Sequence, residues 1–280
     1  MKIIDRGSGT PIVVIPGIQG RWEWMTPTID ALAERCRVIT FSLADEPTCG
    51  GTFDERTGFS CYVEQVHEAL DAAGVQSAAT CGVSYGGLIA AAYAARHPER
   101  VSSLVLVSAL PPSWAPDRRV RFYLKAPRLL TPLFLIASMR MYKEIAAASQ
   151  GFPSGARAAM THAARVLTHM FSPSRMARRV HLLEDAGIPD LSAVHVPTLV
   201  VTGDTGLDRV VPVEATHEYA RIWPHARVVT IERTGHLGSI TRPGEFARIV
   251  VPFVESAAPQ TRQAGPLRPA ERTDSRRRVG

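Results

Sequence analysis

Apolar positions follow two rhythms along the chain. Short runs rich in β-branched residues occur at 10–17 (TPIVVIPG), 36–43 (CRVITFSL), 77–84 (SAATCGVS), 101–110 (VSSLVLVSAL), 196–203 (VPTLVVTG) and 226–232 (ARVVTIE). Runs of this kind predict strands. Between them lie stretches with helical spacing: residues 62–73, where Val63, Val66, Ala69 and Leu70 share one face, the small-residue segment 85–96, and segments near 212–222 and 243–255. The strands lack strict alternation, as expected where helices cover both faces of a sheet. Strand and helix taking turns in this way predict an α/β fold, a mostly parallel central sheet with helices on both faces.

The rhythm breaks between residues 112 and 189. No β-rich run occurs there, and amphipathic pieces at 118–125, 129–148 and 156–171 predict a helical insertion covering one edge of the sheet. The expected division is a core of residues 1–111 and 190–256, an insertion of residues 112–189, and a tail of residues 257–280. The tail carries Pro259, Pro266, Pro269 and six Arg with almost no large apolar residue. It cannot bury enough surface to offset its ordering entropy and is expected to be disordered. No internal repeat is visible.

Composition changes this picture little. With 45% apolar and 21% charged residues in 280, the chain reads as an ordinary folded protein. Its longest mostly apolar stretch, 129–139 (LLTPLFLIASM), contains Pro132 and falls well short of the roughly 20 residues of a membrane span. The opening MKIIDRGSGTP reaches charge and glycine with no apolar core, so no secretory leader is expected and the chain is placed in the cytoplasm. Cys36, Cys49, Cys61 and Cys81 form no C-x-x-C pair and have no His at zinc spacing, so they read as free thiols. The net charge of +6 is uneven: residues 112–190 hold twelve basic and five acidic side chains, and the tail holds six Arg against Glu271 and Asp274. Without a helix-turn-helix, zinc-finger or RNP pattern beside it, this basicity does not predict nucleic-acid binding. Arg118, Arg119, Arg121, Lys125 and Arg128 read as a solvated face, with contact to anionic lipid as the alternative.

The candidate chemistry starts at Gly82-Val83-Ser84-Tyr85-Gly86-Gly87, a G-x-S-x-G string between an apolar run and a small-residue helix. A sharp strand-to-helix turn lifts the serine hydroxyl above the sheet, and the helix N-terminus behind it favours developing negative charge. Ser84 is therefore the candidate nucleophile. A serine needs a base, itself oriented by a third group. Of nine histidines, His236 stands out because Thr234-Gly235-His236-Leu237 follows the last predicted strand. For the acid, the loop Asp204-Thr205-Gly206-Leu207-Asp208 offers two carboxylates.

With nucleophile, acid and histidine in the order Ser, Asp, His, the chain resembles the α/β-hydrolases over roughly residues 10–256, with the insertion resembling their helical cap. The resemblance favours Asp208, which begins the D-x-x-[VI]-P string Asp208-Arg209-Val210-Val211-Pro212. Asp208 stands further after Gly203 than in many members, which keeps Asp204 in play, and Asp117 is a third option. The family also implies two backbone donors for an oxyanion: the amide of Tyr85 and that of Ile18, in Pro16-Gly17-Ile18-Gln19-Gly20, where Pro16 replaces the usual His.

Gln19, Trp22, Trp24 and Trp114 are candidate substrate contacts, with packing between cap and core as the other reading of the tryptophans. The stretch 129–139, near Phe122, Tyr123, Phe134 and Tyr142, suggests an apolar substrate or else the cap's own core. The function implied is hydrolysis of a small, apolar carboxylic ester through an acyl-enzyme, with a small molecule as substrate and no cofactor or metal required. The same residues fit carbon-carbon bond hydrolysis or lactone opening, and a non-catalytic small-molecule receptor is the alternative of another class.

Overall fold

The apolar runs assemble as one sheet because each contributes a core to both of its faces. The structure, a computed structural model, describes residues 1–138, 141–148, 160–161, 168–187 and 190–258. Its strands are β1 (Ile3–Arg6), β2 (Thr10–Ile15), β3 (Cys36–Phe41), β4 (Ala78–Val83), β5 (Val101–Val107), β6 (Thr198–Thr202) and β7 (Arg227–Thr230), in the order β1-β3-β2-β4-β5-β6-β7. All neighbours from β3 to β7 run parallel. Along β2, Ile12 and Val14 enter one hydrophobic cluster while Val13 and Ile15 enter the other. Both alternating sets are apolar, which is why no period of two is visible in these strands.

Strand β1 is absent from the sequence reading. Its IIDR has only two apolar residues, and it pairs antiparallel with β3, Ile3 opposite Phe41, as an edge. Asp5 on this edge pairs with Arg37 of β3 at 2.7 Å. Charge on an edge strand discourages pairing with a further chain.

Helices α1 (Thr26–Ala33), α2 (Ser60–Ala72) and α3 (Tyr85–Arg96) follow β2, β3 and β4. Between β5 and β6 come α4 (Arg118–Lys125), α5 (Thr131–Ser138), α6 (Tyr142–Ala148) and α7 (Pro173–Ala186). Helix α7 starts where Ser172 caps the Arg175 N–H, with Pro173 in the first turn, and stops at Gly187 (φ +70). After β6 the helix expected near 212–222 is split at His217 into α8 (Val213–Thr216) and α9 (Glu218–Ile222); α10 (Gly238–Thr241) and α11 (Pro243–Ala257) close the described chain.

Three side chains of the apolar stretch 129–139 depart from expectation. Leu129 is 80% exposed, and Leu133 and Ile136 are also exposed, so these side chains form neither a pocket wall nor an interior. The amphipathic piece expected at 156–171 lies largely outside the described residues, as does the tail from residue 259 onward. The four cysteines are unpaired; Cys36, Cys49 and Cys81 are buried, and burial pushes the Cys81 thiol up to about 12. No helix among the described residues is long and apolar enough to cross a membrane.

Candidate active site

Ser84 sits at the joint between β4 and α3 with φ 55 and ψ −119, a conformation an L-residue adopts only under constraint. Its carbonyl accepts the N–H groups of Gly87 (2.9 Å) and Leu110 (3.2 Å), and its own N–H donates to Val107 (2.9 Å). The glycines around it are dictated by close approach. A Cβ on Gly82 would stand 2.2 Å from the Gly86 carbonyl, and one on Gly86 would stand 2.5 Å from that of Ile15. Ser84 is 6% exposed.

His236 lies in the turn between β7 and α10. Its Nδ1 is 3.1 Å from Asp208 Oδ2, and both side chains are buried. The other oxygen, Oδ1, accepts the N–H groups of Val210 (2.9 Å) and Val211 (2.8 Å). Burial alone would raise the Asp208 pKa, but the charge and hydrogen bond of His236 and these two N–H groups outweigh it and hold the carboxyl below its usual value. Gly203 and Gly235 let the two loops touch backbone to backbone: a Cβ on Gly235 would lie 2.6 Å from the Leu207 carbonyl, and one on Gly203 would lie 2.4 Å from that of Thr234.

The other carboxylates are engaged elsewhere. Asp204 accepts the Arg233 N–H at 2.6 Å, tying the same two loops together, and Asp117 caps α4 through the Val120 N–H at 2.8 Å.

The loop after β2 runs against the serine: a Cβ on Gly17 would stand 3.4 Å from Ser84 Cβ. Tyr85 opens α3, so its N–H lies in the first turn, where helical N–H groups lack a partner in their own helix. One residue missed in the sequence touches both donor residues. Arg179 of α7, 0% exposed, donates to the Ile18 carbonyl at 2.6 Å, while its own carbonyl accepts the Tyr85 hydroxyl at 3.1 Å. Its charge is met by Asp45 Oδ1 and Glu46 Oε1, each 2.6 Å from Nη2. Gly20 (φ +77) leaves room for the guanidinium, since a Cβ there would lie 2.3 Å from Arg179 Nη2. In the sequence Arg179 is one of several arginines on an amphipathic stretch, with nothing to single it out.

Glu144 of α6 is the second missed residue. It is 2% exposed, and its Oε1 accepts the N–H groups of Gly235 (2.9 Å) and Leu237, on either side of His236.

Ser84 and Ile18 open into a cavity of about 230 Å³. Its other walls include Leu110, Trp114, Val120, Tyr123, Met176 and Val180, and no charged side chain lines it among the described residues. Val210, whose N–H binds Asp208, also lines it, which links the serine side of the cavity to the acid loop.

Of the expected substrate contacts, Trp114 lines the cavity, and Gln19 stands beside the serine, since a Cβ on Gly17 would lie 3.0 Å from Gln19 Oε1 and 3.4 Å from Ser84 Cβ. Trp24 instead donates from Nε1 to the His169 carbonyl (3.0 Å) and meets Phe171 edge-on, joining core to insertion. Trp22 lies under the Arg6 guanidinium, 5.3 Å from the ring centre. Among the described residues no group of three or more His, Cys, Asp and Glu is arranged to hold a metal.

The sequence pattern of the alpha/beta hydrolase family matches residues 12–249. A putative carbamate hydrolase (RutD) of Azorhizobium caulinodans is 28% identical over 261 residues, 88% of this chain and 92% of its own. The 2-hydroxymuconate semialdehyde hydrolase of Pseudomonas putida is 28% identical over 273 residues, 90% of each chain. Among solved structures, an esterase from Exiguobacterium antarcticum superposes with a TM-score of 0.74 at 19% identity, covering 90% of this chain and 94% of that one, a likeness of fold.

Proposed function

The chain belongs to the alpha/beta hydrolase family and is a hydrolase, and from that premise we propose that it cleaves a small, apolar carboxylic ester or related acyl compound through Ser84, His236 and Asp208. The observation that carries this reading is a strained serine opening into an apolar cavity that is also lined by Val210, on the loop that orients a buried histidine.

In this reading His236 takes the Ser84 hydroxyl proton as the oxygen attacks the acyl carbon. Asp208, held ionised by His236 and by its own N–H donors, keeps the Nδ1–H tautomer and balances the imidazolium. The backbone N–H groups of Ile18 and Tyr85 receive the oxyanion, a pair of donors of the kind worth about 3 to 4 kcal/mol each. His236 returns the proton to the leaving alcohol. Water then repeats the sequence on the acyl-enzyme, releasing the acid and freeing Ser84.

The same reading divides the chain into a catalytic core, residues 1–111 and 190–256, and an insertion, residues 112–189, that closes the acyl cavity. A neutral acyl group suits a cavity with apolar walls, because a buried charge without a partner is costly. This favours a simple ester over substrates that present a carboxylate to the cavity.

The test is labelling by a fluorophosphonate probe of wild type, Ser84→Ala and His236→Ala, located by peptide mapping, with hydrolysis of p-nitrophenyl esters alongside. Labelling at Ser84 that both substitutions abolish supports the proposal. A folded wild type that the probe does not label would sink it and leave the receptor reading.

A further inference from the structure

Residues 234–237, which carry His236, lie in a turn between β7 and the four-residue α10, to which the Leu237 carbonyl bonds through the N–H groups of Ile240 and Thr241. The N–H groups of Gly235 and Leu237 instead find their acceptor in Glu144, on a helix of the insertion and more than ninety positions earlier in the chain. One carboxylate oxygen thereby grips the backbone on both sides of the histidine. A carboxylate withdrawn from water to this degree is costly unless its hydrogen bonds repay the loss, and a loop cap alone would be served as well by a neutral side chain.

We propose that Glu144 is a positioning residue for His236: by holding the two peptide N–H groups that bracket the imidazole, it aligns the base only while α6 is seated on this loop. The proposal rests on the reading of His236 as the base for Ser84. It makes the insertion part of the catalytic apparatus, since the fixed end of the histidine loop is borne by a helix that lies outside the sheet core.

Electrostatics point the same way. Burial pushes the Glu144 carboxyl up to about 7, against the lowering by His236 and the two N–H groups, while Asp208 adds to the rise. His236 and Asp208 are the charged side chains that shift it. Carboxyls perturbed in this way concentrate at functional sites. Below about pH 7 the buried carboxyl keeps its proton, so what Glu144 supplies to the histidine loop there is the acceptor oxygen rather than charge.

The experiment is the second-order rate of fluorophosphonate labelling at Ser84 across about pH 5 to 9 for wild type, E144Q and E144A, with melting temperatures. The Gln oxygen accepts the same two N–H groups, and below about pH 7 the carboxyl it replaces is itself largely neutral, so E144Q is expected to keep both its plateau within about threefold and its acid limb. E144A, with no acceptor, is expected to lose about tenfold or more of the plateau rate through misalignment of the base. A role confined to stability predicts a lower melting temperature for E144A with an unchanged plateau; that result would overturn the proposal. If E144A does not fold, E144D decides, its oxygens drawn back from the two N–H groups by one methylene: a plateau lowered about threefold or more while E144Q keeps its own supports the proposal, and an E144D plateau equal to wild type overturns it. Wild-type labelling that survives H236A would overturn the reading beneath it, and the proposal with it, whereas labelling that H236A abolishes and the Glu144 variants leave intact overturns the proposal alone.

Discussion

Asp208, Asp204 and Asp117 are the same side chain with different partners: His236 for the first, a backbone N–H for each of the others. D208N is therefore expected to lower kcat by about four orders of magnitude, by favouring the wrong imidazole tautomer. D204N, measured with the same ester, should stay within a few-fold of wild type. The two buried carboxyls should also respond to pH with opposite sign. The Asp208 pKa is depressed in the fold, so its contribution to stability is present above the usual aspartate range and lost as pH falls through the folded value.

Glu144 is raised from 4.5 to about 7, so between those values the folded chain keeps a proton that the unfolded chain has released, and stability falls as pH rises. The difference integrates to roughly 3 kcal/mol at most. Thermal melts should thus show E144Q gaining on wild type from pH 5 to pH 8; a gap that stays constant or narrows would contradict the assignment. Neither Glu144 nor Arg179 was legible in the sequence, because each is one charged residue on an amphipathic helix, and burial distinguishes it only after the helix has docked.

At the scale of elements, the site is a set of joints between strand ends and loops. Parallel strands bring the loops after β2, β4, β6 and β7 to one edge of the sheet, and glycines let their backbones meet there. Gly235→Ala places a methyl against the Leu207 and Asp208 backbone and forces the acid and histidine loops apart. Its expected signature is a fall in kcat of about a hundredfold with the fold retained, since small displacements at a reacting centre are that costly.

The joint between α7 and the core is ionic. R179M leaves Asp45 buried without its cation and Glu46 with Arg175 alone, and is expected to cost about 3 to 5 kcal/mol in chemical denaturation. Adding D45N to R179M should recover part of that loss, because the uncompensated charge goes with it. The elbow and its helix were readable because Gly82, Ser84 and Gly86 answer to local geometry. Edge strand β1 was not, having two apolar residues and a pairing partner more than thirty positions away.

For the whole molecule, the cavity between core and insertion sets what can be cleaved. Each methylene buried against its walls contributes about 0.8 kcal/mol, so kcat/KM for p-nitrophenyl esters should climb about fourfold per carbon until the roughly 230 Å³ is filled, then fall. Ala177→Trp, which fills part of that space from α7, should move the optimum to shorter chains; an optimum that stays put would show that the acyl group lies elsewhere. The sequence by itself determined the alternation of strand and helix, the helical interruption after β5, the elbow serine and the loop histidine, because these depend on local periodicity, turn chemistry and chain order. Only the tertiary structure decided which carboxylate meets His236, that Trp114 lines the cavity while Trp24 joins core to insertion, that Leu129, Leu133 and Ile136 face outward, and that Glu144 and Arg179 reach the loops that carry His236 and Ile18. Those outcomes depend on how distant segments pack, and a side chain's partners across long separations leave no mark in local pattern.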